Sequence, residues 1–441
     1  MLPQLFFSVR LPTLAAIFWR RHIRRSPIQG VSQKEPLSFI VFRLDALGDV
    51  VLTTPLFRAL RQAFPGSQCT VVVQKAYKSL LVTNPHVNEV LTLPKIDWRW
   101  LPQRLRRLLA ALALYWTQLR YRHFDYALSP RWDVDEHLAT FLCILTNASR
   151  RVGYCSHTSR AKLEMNRGFD AAYDLCLPPG PVRHEVIRNL ALAEQLGATI
   201  GSDALDIHIT ERDRRCADRS LGNVSPATKL IALGVGAQSS GRRWPLRNYV
   251  EVVEQIGGEL QIQPVIVCSE VELGMALQLN DLLKKPAIIV SGARLREVCA
   301  VLERCQLFVG NDSGCAHLAA AMSCGTIVVS RHPLSGDCNH FNSPTRFAPY
   351  APRVRVLQPA TGRGNCTTAC GVDGPHCITG VTPQEVVAAA LEMMASETFF
   401  VAAQVKPWMT RASQRLLSAH SAEAVQRAVE SLRSGVDRPS L

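Results

Sequence analysis

Four short segments hold residue types whose spacing can do chemistry. In Arg43-Leu44-Asp45-Ala46-Leu47-Gly48-Asp49, an apolar strand end turns through a glycine into a helix with Leu52, Leu56, Leu60 and Phe64 on one face. Asp49 at that helix start either caps it, accepting from orphan amide N–H groups, or acts as a general base on a bound hydroxyl. Pro55 inside the helical pattern predicts a kink or a late start. In the second segment, Gly234-Val235-Gly236-Ala237 is followed by Arg242-Arg243-Trp244-Pro245. Small residues admit a ligand close to the backbone, and paired guanidiniums can grip pyrophosphate oxygens; the plainer reading is a flexible loop with two solvated arginines. In the third, Gly310-Asn311-Asp312-Ser313-Gly314 leads into an alanine-rich helix bearing His317 and stopping at Gly325. Free N–H groups at a positive helix end bind anions, and His317 lies one turn after Ser313. The alternative is an ordinary Asp or Ser cap with a surface histidine.

The fourth segment is Cys366-x3-Cys370-x6-Cys377, set among Gly371, Gly374 and Pro375. A zinc site needs four ligands, and the nearest fourth candidates are His376 and Cys338. The spacing departs from the usual paired units, so free or packing cysteines are the default and no metal site is assigned. Asp133-Val134-Asp135 can hold a divalent cation, or can form a sugar-contacting loop with Arg131, Trp132 and His137; solvated acids are the default.

The elements that must position these segments are short β-branched runs alternating with longer amphipathic stretches, the pattern of a parallel sheet covered by helices. The strands expected are 39–44, 70–74, 90–93 and 125–129 in the first half, and 230–234, 264–268, 287–290, 306–310 and 326–330 in the second. Two doubly wound α/β domains follow, and ligands of such sheets bind beyond the carboxyl ends of the strands, where all these segments lie. The expected boundaries are a basic amphipathic segment 1–36, a first domain 37–210, a polar linker 211–228, a second domain 229–395 and a helical extension 396–441.

A chain of 441 residues, 47% hydrophobic and 20% charged, excludes global disorder and fibrous folds. Its 14 cysteines lie mostly singly in apolar runs, which reads as a reducing compartment rather than a disulfide scaffold. The formal charge of +14 calls for anionic partners. Arginines cluster at Arg99, Arg104, Arg106 and Arg107, but no nucleic-acid motif accompanies them, so nucleic acid is not an expected partner. Arg10, Arg20, Arg21, Arg24 and Arg25 surround an apolar run too short to span a bilayer. That stretch is either an interfacial amphipathic helix on an anionic membrane face or a disordered basic tail.

Taken together, the segments resemble glycosyltransferase family 9, the ADP-heptose:lipopolysaccharide heptosyltransferases, over roughly residues 38 to 395. The resemblance rests on Arg43 to Pro55, on Gly236-Ala237 with Arg242 to Pro245, and most specifically on Gly310 to Gly314 with His317 to Ala321. Weaker agreement comes from Arg150 to Tyr154, from His184 and from Cys377-Ile378 before Val381-Thr382-Pro383. It implies a GT-B architecture, with two Rossmann-like domains facing a cleft, and an inverting, metal-independent reaction without a cofactor. It implies that Asp49 is the general base, and that Arg242, Arg243, Asp312, Ser313, Gly314 and His317 bind the donor, with Glu270 or Glu272 at the ribose. Arg43, Trp132 and Asp133 are then expected at the acceptor. The implied donor is ADP-heptose and the implied acceptor a lipid-linked oligosaccharide of the lipopolysaccharide core, at the inner face of the cytoplasmic membrane. Another nucleotide-sugar enzyme on the same fold, with a different donor or acceptor or acting as an epimerase, is the alternative.

Overall fold

The computed structural model describes residues 36–404, positions 99 and 167 excepted. The first-half strands are β1 (Ser38–Phe42), β2 (Gln68–Val73), β3 (Glu89–Thr92), β4 (His123–Ser129), β5 (Asn147–Tyr154) and β6 (Leu175–Leu177). The second-half strands are β7 (Lys229–Gly234), β8 (Ile262–Cys268), β9 (Ile288–Ser291), β10 (Leu307–Asn311), β11 (Gly325–Val329) and β12 (Val354–Leu357). They form two sheets, ordered β3-β2-β1-β4-β5-β6 and β12-β11-β10-β7-β8-β9. Every pairing is parallel, from β1 with β2 and β4 to β7 with β8 and β10. Both halves therefore carry the same doubly wound order, with the winding reversing between β1 and β4 in one and between β7 and β10 in the other.

The residues explain the layering. In β1, Phe39 and Val41 pack with Leu52 and Leu56 of the helix Leu47–Ala63, while Ile40 and Phe42 face the opposite side with Leu114 and Leu142. A strand with no water on either face must be apolar throughout, as Phe-Ile-Val-Phe is. The helix starts at Leu47 and runs through Pro55. The proline cannot donate to the carbonyl of Val51, and the Thr54 hydroxyl donates to it instead, at 2.8 Å.

Three strands were not expected from the sequence. β5 exposes the consecutive residues Ser149 and Arg150, β6 has only three residues, and β12 is an edge strand interrupted by Arg355. The stretch 211–228 contains the helix Glu211–Leu221, capped by Thr210 and ion-paired from Arg214 to Glu303 at 2.8 Å. Both sheets belong to one compact unit that ends at Leu391, and a second unit begins at Glu392, within the helix Pro383–Gln404. The basic segment 1–36 falls, but for Pro36, outside the described residues, as do Arg99 and 405–441.

Candidate active site

The loops after β1 and β4 meet at the first reversal point. Arg43 is fully buried there. Its guanidinium donates to Asp49 Oδ1 at 3.2 Å and Pro130 O at 3.3 Å, and lies 3.3 Å from Asp45 Oδ2. Arg131 approaches Asp45 Oδ1 at 3.4 Å and Asp49 Oδ1 at 3.7 Å, and donates to Val134 O at 2.9 Å. The second oxygen of Asp49 accepts from the Ala46 N–H at 3.2 Å. Asp49 thus closes the first helical turn with Oδ2 and presents Oδ1 to two guanidiniums, with 12% of its side chain still exposed.

These neighbours split the two carboxyls. Burial pushes Asp45 up, but Arg131 and Arg43 more than reverse it and hold it below the ordinary carboxylate range. Burial also pushes Asp49 up; the Arg43 guanidinium opposes this, the like charge of Asp45 adds to it, and the net direction is upward. Two carboxyls driven apart in this way are how a site assigns one of them to proton transfer.

The loops after β7 and β10 meet at the second reversal point, held by Asn311. Its side chain accepts from the Trp244 N–H at 2.9 Å and the Tyr249 hydroxyl at 3.0 Å, and donates to Val235 O at 2.8 Å. Arg242 lies 3.6 Å from Asp312 and also donates to Asn342. Burial raises the Asp312 carboxyl against Arg242 and Arg331. Arg243 puts two N–H groups on Ala237 O, at 3.2 and 3.1 Å, and so braces the loop. Ser313 stands at the start of the helix Gly314–Ala321 without making a side-chain cap, which leaves its hydroxyl and the helix amides available to an anion. Glu272 lies over the loop: a Cβ on Gly236 would come within 1.8 Å of its Oε1, so the carboxylate as placed rests directly on the glycine backbone. The exposed Glu270 faces Gly292 instead.

His317 joins the two crevices. A Cβ on Gly48 would lie 2.8 Å from its ring, so glycine is what lets the start of the Asp49 helix approach the helix Gly314–Ala321. Burial pushes the imidazole down to about 3, and its Nδ1 is buried with no partner. Near neutral pH the ring is uncharged, so it can offer a hydrogen bond to a phosphate but not the positive charge that a surface histidine would carry.

A family model for glycosyltransferase family 9 (heptosyltransferase) matches residues 115–368. The chain belongs to glycosyltransferase family 9. It is 24% identical over 321 residues to the lipopolysaccharide core heptosyltransferase OpsX of Haemophilus influenzae, covering 71% of this chain and 82% of that one. It is also 24% identical over 368 residues to lipopolysaccharide heptosyltransferase 2 of Salmonella typhimurium, covering 80% and 97%. Among solved structures, a family 9 glycosyl transferase of Veillonella parvula superposes with a TM-score of 0.66 at 20% identity, over 83% of this chain and all of that one. A heptosyltransferase of E. coli solved with ADP gives 0.58 at 18%, over 81% and 100%. These structures carry the GT-B fold, and the chain is a glycosyltransferase.

Within this glycosyltransferase, the residues expected at the acceptor are placed differently from Asp49. Arg43 has no exposed surface and holds Asp49 rather than facing a substrate. Trp132 is buried, its ring lying 3.8 Å from the Arg188 guanidinium and 4.5 Å from that of Arg346, and its Nε1 donates to Pro179 O at 3.1 Å. Asp133 pairs with Arg346 at 3.1 Å. Asp135 caps the helix Ala139–Leu145 by accepting from Ala139 N at 3.0 Å and Thr140 N at 2.7 Å. Both carboxylates of the Asp-x-Asp pair therefore have partners in the protein. Residues that the sequence left unmarked complete the arrangement. Lys162 is buried, donates to Arg131 O at 2.9 Å and Trp132 O at 3.2 Å, and is pushed down to about 8 by burial. Arg346 reaches Glu185 at 3.1 Å. No local pattern marks these residues, because their partners are distant in the chain.

Proposed function

We propose that this glycosyltransferase moves a heptose from ADP-heptose to a hydroxyl of the lipopolysaccharide inner core, by one inverting displacement that needs no metal ion. The observation that carries the reading is the convergence of the Asp49 helix start and the helix Gly314–Ala321, with the Gly48 backbone against the His317 ring. The first lobe, 37–210, takes the acceptor and the second, 229–395, takes the donor. Asp49 accepts the acceptor hydroxyl proton as the oxygen bonds to the anomeric carbon. The bond from that carbon to the diphosphate breaks, and the electron pair leaves with ADP. Arg242, the amides at Ser313 and Gly314 and the neutral His317 meet the charge that develops there. Asp312 bonds the donor sugar and Glu272 the ribose. Arg43 and Arg131 hold Asp49, while Asp133 and Trp132 shape the acceptor side through Arg346. Support for the substrates comes from the Haemophilus and Salmonella relatives, both lipopolysaccharide heptosyltransferases, and from the E. coli neighbour solved with ADP.

The same reading puts the protein at the inner face of the cytoplasmic membrane. No helix among the described residues is long and apolar enough to cross a membrane. Trp98, Trp100, Trp116 and Tyr121 are exposed, Arg120 lies over the Trp116 and Tyr121 rings, and Arg104 is exposed in the same stretch of chain, a mix of aromatic and basic side chains suited to an anionic interface. The deciding experiment is incubation with ADP- and UDP-sugars and truncated core acceptors, with mass spectrometry of the products. Heptose added from ADP-heptose, with the anomeric configuration inverted in NMR of the product, is expected. Transfer of a UDP-hexose instead overturns the substrate assignment, and epimerised sugar without transfer overturns the reaction.

A further inference from the structure

Between β12 and the helix Pro383–Gln404, residues 358–376 carry no helix or strand. A structureless stretch of that length in a compact domain needs something to hold it. Within it and at its end, Cys366, Cys370, His376 and Cys377 bring three sulfurs and a ring nitrogen within 4.8 Å of one another. His376 Nδ1 lies 3.7 Å from Cys366 Sγ, 3.7 Å from Cys370 Sγ and 3.3 Å from Cys377 Sγ. One ring nitrogen offers a single lone pair or a single hydrogen, so three sulfurs around it cannot all be hydrogen-bond partners. A tetrahedral zinc ion, with Zn–S of about 2.3 Å and Zn–N of about 2.0 Å, sets its sulfur and nitrogen ligands about 3.5 Å apart. The three observed distances bracket that value. The three cysteines are buried, and none is in a disulfide. The Arg363 N–H donates to Cys377 Sγ at 3.3 Å, an outer contact that orients the sulfur. Of the two possible fourth ligands, the fold brings in His376 and leaves Cys338 exposed and outside the group.

We propose that Cys366, Cys370, His376 and Cys377 form a closed structural zinc site. Four protein ligands leave no open position, so the ion has no place for a substrate. The three thiols bind as thiolates, releasing their protons to solvent as the ion enters. The site pins a loop that touches two other segments: Asp337 N donates to Thr368 O at 2.8 Å, and Gly374 N donates to Ser240 Oγ at 3.1 Å. Ser240 opens the turn Ser240–Arg242 and also bonds Asp373. None of this depends on the substrates proposed above.

The test uses the full chain, purified without added metal and passed through chelating resin, with metal content by plasma mass spectrometry and X-ray absorption at the zinc edge. Zinc at one ion per chain is expected, with three sulfur neighbours at about 2.3 Å and one nitrogen at about 2.0 Å. Cys370→Ser should lower bound zinc at least about tenfold, whereas Cys338→Ser should keep it in full. If Cys370→Ser does not fold, the wild-type metal content and absorption spectrum decide the matter alone. Folded wild-type protein without stoichiometric metal overturns the proposal. So does iron in place of zinc, a disulfide among the three cysteines, or a zinc shell lacking three sulfurs.

Discussion

Arg346→Met tests how the two lobes are joined. The Arg346 guanidinium is fully buried and donates to Asp133 Oδ2 at 3.1 Å, Glu185 Oε1 at 3.1 Å and Asn339 O at 2.6 Å. Asp133 and Glu185 belong to the first lobe and Arg346 to the second. Methionine keeps the apolar stem and removes the charge. Glu185 retains Arg188 at 2.8 Å, but Asp133 is left with the Ser159 hydroxyl and the Val134 N–H. Removing one partner of a buried pair costs about 3–5 kcal/mol. For one cooperative unit that runs to Leu391, an unfolding entropy of about 2.1 cal/mol/K per residue gives roughly 1–2 °C per kcal/mol, so the melting midpoint at pH 7 should fall by about 3–10 °C in differential scanning calorimetry. The pH dependence supplies a second readout. Burial pushes Asp133 up, but Arg346 and Arg131 more than reverse it and hold it below the ordinary range. A depressed carboxyl stabilises the fold above its unfolded value, and that contribution disappears as pH falls through the folded value. The gap between wild type and variant should therefore be full at pH 7 and narrow below about pH 4. Adding Asp133→Asn neutralises the carboxylate left without its cation and should recover much of the loss, with Glu185 left in place because it still pairs with Arg188. A single variant within about 1 kcal/mol of wild type, or a double variant no better than the single, would refute the view that these charges are desolvated and mutually dependent.

Asp49→Asn should reduce transfer by about 10²–10⁴-fold while leaving ADP affinity in calorimetry unchanged. Because a carboxyl with a raised folded value destabilises the fold once ionised, the same variant should melt above wild type at pH 7, the gap closing at acid pH. Neighbouring substitutions should move the acid limb of the pH–rate profile in opposite directions. Arg131→Met removes a cation that favours ionised Asp49 and shifts the limb to higher pH, whereas Asp45→Asn removes a like charge and shifts it lower. Glu272→Gln should weaken ADP binding by about 10–100-fold, with Glu270→Gln near wild type; equal effects would undo the assignment of the ribose contact. Trp98→Ala with Trp100→Ala should cut sedimentation with anionic vesicles about tenfold at unchanged activity on a soluble acceptor.

What the sequence displayed and what it hid follow from locality. Leu-Ile-Ala-Leu in β7 and Leu-Phe-Val-Gly in β10 are uninterrupted apolar runs because central strands are covered on both faces, so their place in the chain could be read directly. β5 escaped that reading because Arg150 and Arg151 break its run, and Arg151 is accommodated by the carbonyls of Cys143 and Thr146 and by the Asp174 carboxylate at 3.5 Å. The site divides in the same way. Asp49, Arg242 and Asp312 sit in motifs a few residues long. Arg346 and Lys162 act through partners distant in the chain, and the Glu185–Arg188 pair, although three residues apart on one helix, meets Arg346 and Trp132 only in the fold. Glu270 and Glu272 share one short turn and look alike in the sequence, whereas in the fold Glu272 lies by Gly236 and Glu270 by Gly292.

The repeated topology explains why the chemistry sits in so few segments. Each sheet reverses its winding once, and at each reversal two loops diverge above adjacent strands, leaving a crevice with backbone groups and helix starts at its rim. Those loops follow β1 and β4 in one lobe and β7 and β10 in the other, and they carry Asp49 with Arg131 and Arg242 with Asp312 respectively. Each crevice thus contains a partly buried aspartate facing guanidinium, with desolvation raising the carboxyl in both. The difference lies in the surroundings. Asp49 has a second carboxylate beside it and two arginines fixed by backbone carbonyls at Pro130 and Val134, so its proton affinity is set by rigid neighbours. Asp312 is paired with Arg242, whose other contact is the side chain of Asn342. That arginine can exchange its partner for an incoming phosphate without unfolding a loop. Under the proposed function, a fixed carboxylate suits proton transfer and an exchangeable pair suits a diphosphate that must bind and leave, so that one architecture used twice would serve two different tasks.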